Sequence, residues 1–149
     1  CNSAEISINS PMKKYISTVR SPHLDNPQKL YAGLFYMRNK IDESQGGDLK
    51  IYRFKNKNKI KYYGNAVPIN NLIEYSTVNY EENILILFLN TPDSIHGVTE
   101  RTPTQYSRRF VYLSTIANDI IAHDTSNKQI GKMEELAFRI NRKFKSFTK

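Results

Sequence analysis

The amino-acid sequence predicts an all-β core with a C-terminal helix, and within that class a double-stranded β-helix, or jelly roll. Short apolar runs alternate with turn residues along most of the chain, and ten Tyr and seven Phe favour strands. A clear helical spacing of apolar residues occurs near the C-terminus. With 149 residues the chain has the size of a single domain. We expect its core at about residues 5–115 and its helix at about residues 129–146.

The predicted strands are short and follow one another closely. Strand-like runs occur at residues 5–9, 15–19, 30–38, 49–54, 60–63, 74–79, 83–89 and 109–113. Pro11, the pair Gly46-Gly47 and the acidic pair Glu81-Glu82 mark turns between them. About eight strands and one closing helix are typical of a β-sandwich, and the double-sheet jelly roll is the natural member of that class.

The predicted helix carries an apolar stripe along one side. Apolar residues recur at helical spacing at Ile130, Met133, Leu136, Ala137, Ile140 and Phe144. Lysines and arginines of the same segment fall largely away from that stripe. This pattern favours a helix that docks on a sheet over a helix that binds a partner.

The chain is basic, with a formal net charge of +8. Much of the charge lies in residues 50–61 and 132–149, where solvated faces are the simplest interpretation. Attraction to an acidic substrate, to nucleic acid or to a membrane surface is the functional alternative. Neither stretch has the spacing of a nucleic-acid motif, which disfavours nucleic acid as a partner. No run approaches the roughly 18 apolar residues that a membrane span needs.

The termini and the single cysteine carry little information on location. Cys1 is the single cysteine, so the sequence cannot form an internal disulfide, and the redox compartment is undetermined. A cytoplasmic location is favoured. Because the chain begins with Cys and not Met, we expect a fragment or a processed product.

The tripeptide His23-Leu24-Asp25 is the most informative motif. In an extended segment, side chains at i and i+2 lie on the same face, so an imidazole and a carboxylate would lie side by side. A second imidazole, His96, follows the very apolar run 83–89. Two histidines and one carboxylate form the facial set that binds non-haem Fe(II). The alternative is a surface histidine beside an aspartate in a loop, which is common.

A pair of arginines follows this set. Arg108-Arg109 lies at the start of a strand-like run. The planar guanidinium of an arginine can bind a carboxylate of a cosubstrate through two parallel hydrogen bonds. The pair His123-Asp124 has the wrong spacing for a same-face site, and we expect it in a surface loop.

Together these residues resemble the Fe(II)/2-oxoglutarate-dependent dioxygenases, and among them the prolyl 4-hydroxylase-like branch. The likeness covers roughly residues 5–113. The segments that carry it are residues 23–27, 34–37, 46–52, 85–89, 96–98 and 108–111. Relatives usually have supporting helices before the first strand. Almost nothing precedes Glu5 here, so we expect those helices to be missing or supplied by a partner chain.

The resemblance implies a role for each site residue. His23, Asp25 and His96 would hold Fe(II), and no catalytic residue is expected beyond these metal ligands. Arg109 and Tyr36 would bind the distal carboxylate of 2-oxoglutarate. The resemblance also allows ascorbate as an auxiliary cofactor.

The choice between the two arginines depends on how the following strand begins. Arg109 is preferred because Arg-Phe-Val best matches the family's strand start, and Arg108 is then expected to point to the opposite face and meet solvent. The loop 97–107 is a few residues longer than in the family.

The implied activity is hydroxylation of an unactivated C–H bond, with a prolyl residue in a peptide or protein as the leading substrate. A small metabolite or a free amino acid fits the sequence as well. A nucleic-acid demethylase is disfavoured because residues 109–114 lack the asparagine and second arginine that such enzymes carry. A non-catalytic jelly-roll binding module is the remaining alternative. The oligomeric state is left open.

Overall fold

The described part of the chain is all-β. The computed structural model describes residues 1–16, 20–56 and 65–118. Seven strands occur there: β1 Asn2–Asn9, β2 Lys29–Met37, β3 Leu49–Phe54, β4 Leu72–Val78, β5 Glu82–Leu89, β6 His96–Val98 and β7 Arg108–Ile116. A 3-10 turn, Ile69–Asn71, comes directly before β4.

Most predicted strands match observed ones to within a few residues, and 49–54 matches β3 at both ends. The predicted strand 15–19 is wrong in its first two residues, which are not extended in a sheet, and its remainder lies outside the described residues. The predicted strand 60–63, the pair His123-Asp124 and the C-terminal helix also lie outside them. The short strand β6 was not predicted.

The strands form two antiparallel sheets. One sheet has four strands in the order β1-β7-β2-β5, and the other has three in the order β4-β3-β6. Beyond β6, an isolated bridge pairs His23 with His96, and a second joins His23 to Ala66. The segment that carries His23 therefore lies along the outer edge of the smaller sheet.

The hydrophobic core lies between the sheets. Leu34 and Tyr36 of β2 cluster with Leu49 of β3 and with Tyr80, and inward-facing residues of β5 and β7 pack against them. Because both sheets contribute to one cluster, they pack face to face, as in a β-sandwich. A second cluster is formed by Leu24, Tyr52, Phe54, Val67, Leu72 and Ile95. It packs around Leu24, the residue between His23 and Asp25, and so anchors that segment.

The outer face of the four-stranded sheet is also apolar. Leu85, Leu87 and Leu89 alternate with inward-facing residues of β5 and remain exposed, as do Ile6 and Ile8 of β1. Hydropathy therefore does not distinguish the two faces of this sheet. In the part of the chain that the structure describes, no helix has the length and apolar character needed to cross a membrane.

Candidate metal centre

Three predicted ligands meet in the structure. His23 and Asp25 lie in the segment between β1 and β2, His96 begins β6, and all three side chains are buried. Their potential ligand atoms all lie within 4.8 Å of one another. His23 Nε2 is 3.9 Å from Asp25 Oδ1, and the two imidazole centroids are 4.4 Å apart. One metal ion placed between these atoms is therefore within reach of all three residues.

Backbone carbonyls select the same tautomer at both histidines. His23 Nδ1 lies 2.9 Å from the carbonyl oxygen of Ser21, and His96 Nδ1 lies 2.9 Å from that of Ser94. A carbonyl oxygen only accepts, so each Nδ1 carries the hydrogen and each Nε2 presents a lone pair. This second hydrogen bond is typical of histidines that bind metals through the other nitrogen.

His23 Nε2 is a buried acceptor without a partner. Among the described residues it is the one buried side-chain nitrogen or oxygen that makes no hydrogen bond. Leaving such an atom unsatisfied costs about 1–3 kcal/mol. A metal ion between His23, Asp25 and His96 would satisfy it, so the donor set present here fits a divalent ion.

Both imidazoles favour the neutral form. Burial, followed by the charges of His96 and Arg20, lowers the pKa of His23 to about 4. Burial likewise lowers the pKa of His96 from its ordinary value. The ring of His96 packs edge-on against Phe88, with 4.9 Å between centroids. Neutral imidazole is the form that binds a metal, so the site needs no proton loss from its histidines at neutral pH.

A hydrogen-bond chain orients Asp25. Lys29 Nζ donates to the Tyr112 hydroxyl at 2.9 Å, and that hydroxyl donates to Asp25 Oδ2, also at 2.9 Å. The lysine can only donate, so the hydrogen of Tyr112 is directed to the carboxylate. Burial, then the charge of Asp25, raises the pKa of Tyr112, which keeps it a donor. Asp25 Oδ1 is left facing His23.

The triad lines a cavity of about 630 Å³ that also contains Arg108. Arg108 is 7% exposed. Its Nε donates to the Gly47 carbonyl at 2.8 Å and its Nη2 to the Tyr36 hydroxyl at 3.3 Å. Its guanidinium also lies 4.7 Å from the centroid of the Phe110 ring. Burial lowers the pKa of Arg108.

No carboxylate in the described ranges forms an ion pair with Arg108. A buried cation without a counterion is costly. The cavity wall therefore favours an anionic group next to Arg108.

We expected Arg108 to meet solvent and Arg109 to face the site. This prediction is wrong, because the two side chains point the other way round. Successive side chains of a strand alternate between faces. Arg108 shares its face with Phe110 and Tyr112, which line the cavity, whereas Arg109 does not line it. Arg109 is half-buried, and its backbone N–H donates to the Tyr80 hydroxyl at 2.8 Å. Phe110 and Tyr112 mark the inward face in the structure, but Val111 and Leu113 make the outward face apolar too, so the sequence alone does not identify it.

Tyr36 lies behind Arg108. It is fully buried, is not among the residues that line the cavity, and accepts a hydrogen bond from Arg108. Its ring also packs edge-on against Tyr80, with centroids 5.1 Å apart. This placement suits orientation of the arginine and not direct contact with a ligand.

Three further residues near the site, Lys29, Tyr112 and Arg101, were not predicted from the sequence. Arg101 lines the cavity from the long loop before β7. It forms a buried ion pair with Asp42 and donates from Nε to Ser44 Oγ at 2.8 Å. Strand alternation places Tyr112 on the same face as Arg108, but it does not show that this face is the inward one. Nothing in the sequence pairs Arg101 with Asp42, which lies 59 residues earlier.

No family model, curated protein or solved structure compared with the chain gives a significant match.

Proposed function

We propose that this protein is an Fe(II)- and 2-oxoglutarate-dependent dioxygenase that hydroxylates an unactivated C–H bond. One observation carries the proposal. A buried His23-Asp25-His96 group, with an unsatisfied imidazole nitrogen, shares one cavity with a buried arginine that lacks an ion-pair partner in the described residues. The first feature suits a divalent metal and the second an anionic cosubstrate.

The strand pairing supports a jelly-roll fold. A jelly roll is a long hairpin rolled on itself, so its first strand pairs with its last, its second with the one before the last, and so on inward. Here β1 pairs with β7, the His23 segment with β6, β2 with β5 and β3 with β4. When the His23 segment is counted as a short second strand, this nested pairing is the one expected of a jelly roll.

The donor set supports Fe(II). Two imidazoles and one carboxylate leave open coordination positions for a chelating cosubstrate and dioxygen. When bound, Fe(II) with 2-oxoglutarate and dioxygen supplies the oxidant that inserts oxygen into a C–H bond, with succinate and carbon dioxide as the other products. Zn²⁺ accepts the same ligand types, so the identity of the metal is part of the test.

In this proposal the protein's own residues bind and orient. Arg108 takes the role that the resemblance implied for Arg109 and binds the distal carboxylate of 2-oxoglutarate through its planar fork. Gly47 and Tyr36 hold the guanidinium in place through hydrogen bonds at Nε and Nη2. Tyr112 orients Asp25.

The substrate assignment rests on the resemblance alone. A prolyl residue in a peptide or protein is the leading candidate, and a small metabolite or free amino acid is the alternative. Ascorbate would serve as an auxiliary reductant. A binding module without catalysis would take up the metal but form no succinate.

Anaerobic addition of Fe(II) and 2-oxoglutarate tests the proposal. We expect a weak visible metal-to-ligand charge-transfer band, and succinate formation after admission of air. His23→Ala and Asp25→Ala should remove both signals. Asp93→Ala is the matched control, because Asp93 is exposed and does not line the cavity. Absence of the band in protein shown by metal analysis to hold iron would refute the assignment.

A further inference from the structure

The cavity carries more positive charge than the proposed cosubstrate can neutralise. Its charged wall residues, besides the two histidines, are Arg20, Lys29, Arg101 and Arg108 against the single acid Asp25. The charges of Fe(II), Asp25, Arg108 and the two carboxylates of 2-oxoglutarate cancel one another. Arg101 is paired with Asp42 behind the wall. The charges of Lys29 and Arg20 remain.

Lys29 lies close to the metal ligands. Its ammonium donates to the Tyr112 hydroxyl, which itself bonds Asp25, and lies 4.5 Å from the centroid of the Tyr112 ring. An ammonium carries three hydrogens, so this bond leaves further donors. Lys29 is half-buried, and no carboxylate of the described residues forms an ion pair with it.

Arg20 approaches from the segment that leads into His23. Its side chain is exposed and lines the same cavity, and its backbone carbonyl accepts a hydrogen bond from Val98 of β6 at 3.0 Å. That bond ties Arg20 to the strand that carries His96. As with Lys29, none of the ion pairs within the described residues includes Arg20.

We propose that Lys29 and Arg20 form a second anion site, at the metal end of the cavity, for a carboxylate or phosphate group of the primary substrate. This inference rests on the proposed function, because the anion of the cosubstrate is assigned to Arg108. A neutral substrate would leave both cations without a counterion, whereas an oxyanion close to the oxidised carbon would pair with them. Among the candidate substrates we therefore expect one with an acidic group near the oxidised carbon, such as a free amino acid or an acidic peptide.

Paramagnetic relaxation tests the site without knowledge of the substrate. The protein is loaded with Mn(II), saturated with 2-oxoglutarate, and titrated with inorganic phosphate and, separately, with acetate. We expect saturable relaxation enhancement of the phosphorus nucleus or of the acetate protons, and the anion with the lower apparent dissociation constant identifies the type of group that the site prefers. Lys29→Gln and Arg20→Gln should each raise the apparent dissociation constant roughly tenfold, or about 1.4 kcal/mol, because each removes a charged hydrogen-bond donor.

Lys40→Gln is the matched control, because Lys40 pairs with Glu82 and is not among the residues that line the cavity. It should bind both anions as the wild type does. Equal enhancement in wild type and in a Lys29→Gln/Arg20→Gln double variant would overturn the anion site, as would no enhancement by either anion.

Failure of the proposed function gives a different result. In that case the Mn(II) resonance spectrum shows no binding of the metal or no change on addition of 2-oxoglutarate. The anion site is then tested in the metal-free protein. Phosphate and acetate titrations are followed by the NMR chemical shifts of backbone amides around Lys29. Shifts in the wild type that vanish in the double variant support the site, and their absence refutes it.

Discussion

His23 and His96 are direct backbone partners although 72 residues separate them. The His23 N–H donates to the carbonyl of His96 at 2.9 Å, and the His96 N–H donates back to the carbonyl of His23 at 3.1 Å. Residues that exchange both hydrogen bonds of an antiparallel pair project their side chains to the same face. The two imidazoles are thus brought together by the sheet itself, before any metal binds.

Tyr112→Phe should weaken metal binding without unfolding the protein. The substitution removes the hydroxyl that bonds Asp25 Oδ2 and keeps the ring. Loss of a residue that orients a metal ligand typically costs about 10–100-fold in affinity. Titration with Mn(II), followed by electron paramagnetic resonance, measures the change. Tyr75→Phe, at an exposed tyrosine of β4, should bind the ion as the wild type does. Unchanged affinity in Tyr112→Phe would contradict an orienting role.

Arg108→Lys should weaken 2-oxoglutarate binding by roughly tenfold or more, because an ammonium cannot replace a bidentate fork. Arg109→Lys, one residue away on the opposite face, should leave it unchanged. The dissociation constants are measured from the anaerobic charge-transfer band. The reverse order would show that Arg109 binds the cosubstrate.

Gly46→Ala should destabilise the fold more than Gly47→Ala does. Both glycines have positive φ, +81° and +80°, so both substitutions strain the backbone. A Cβ at Gly46 would lie 1.7 Å from the backbone oxygen of Glu100, whereas a Cβ at Gly47 would meet flexible side chains of Arg101 and Arg108 at 3.3 Å. We expect a loss of at least about 3 kcal/mol for Gly46→Ala and about 1 kcal/mol for Gly47→Ala.

Urea unfolding measures both values. Equal losses would show that the chain around Glu100 moves aside. Because Gly47 holds Arg108, Gly47→Ala should also weaken 2-oxoglutarate, an effect that a loss of stability alone does not produce.

The metal-free protein should lose stability on acidification from about pH 6.5 to about pH 4. The pKa of His23 is about 4 in the folded protein and 6.5 when unperturbed. In that window the unfolded chain binds a proton that the folded chain does not, so the free energy of unfolding falls as pH falls. The loss from His23 is on the order of 3 kcal/mol.

Urea unfolding at a series of pH values, with a chelator present, checks this expectation. His23→Gln should have a shallower pH dependence, with the contribution of His96 remaining. An identical dependence in the variant would show that another group is responsible.

Much of the fold was predictable because strand signals are local. The alternation in 49–54 and the apolar run 83–89 predict β3 and β5 closely. The strand β6 was missed because three residues, His96-Gly97-Val98, carry no periodicity. Its partners β3 and the His23 segment define it, and these lie far away in sequence.

The metal group was predictable for a similar reason. His23 and Asp25 share a face by their spacing alone, and a histidine after a buried strand is a natural third member. The identity of the inward-facing arginine was not predictable from the sequence. Val111 and Leu113 make the outer face of β7 as apolar as the inner one. Hydropathy then offers no means to decide which of two adjacent arginines turns inward.

The sequence by itself determined the all-β class, most strand positions and the shared face of His23 and Asp25, because each depends on spacing within a few residues. Only the tertiary structure decided that Arg108 faces the cavity, that Tyr36 stands behind it, and that Lys29 and Tyr112 reach Asp25. These relationships join β2, β7 and the loop before β3, and they are set by sheet register and packing between strands distant in the chain. No local pattern encodes such register, since it arises when the two sheets close on their shared core.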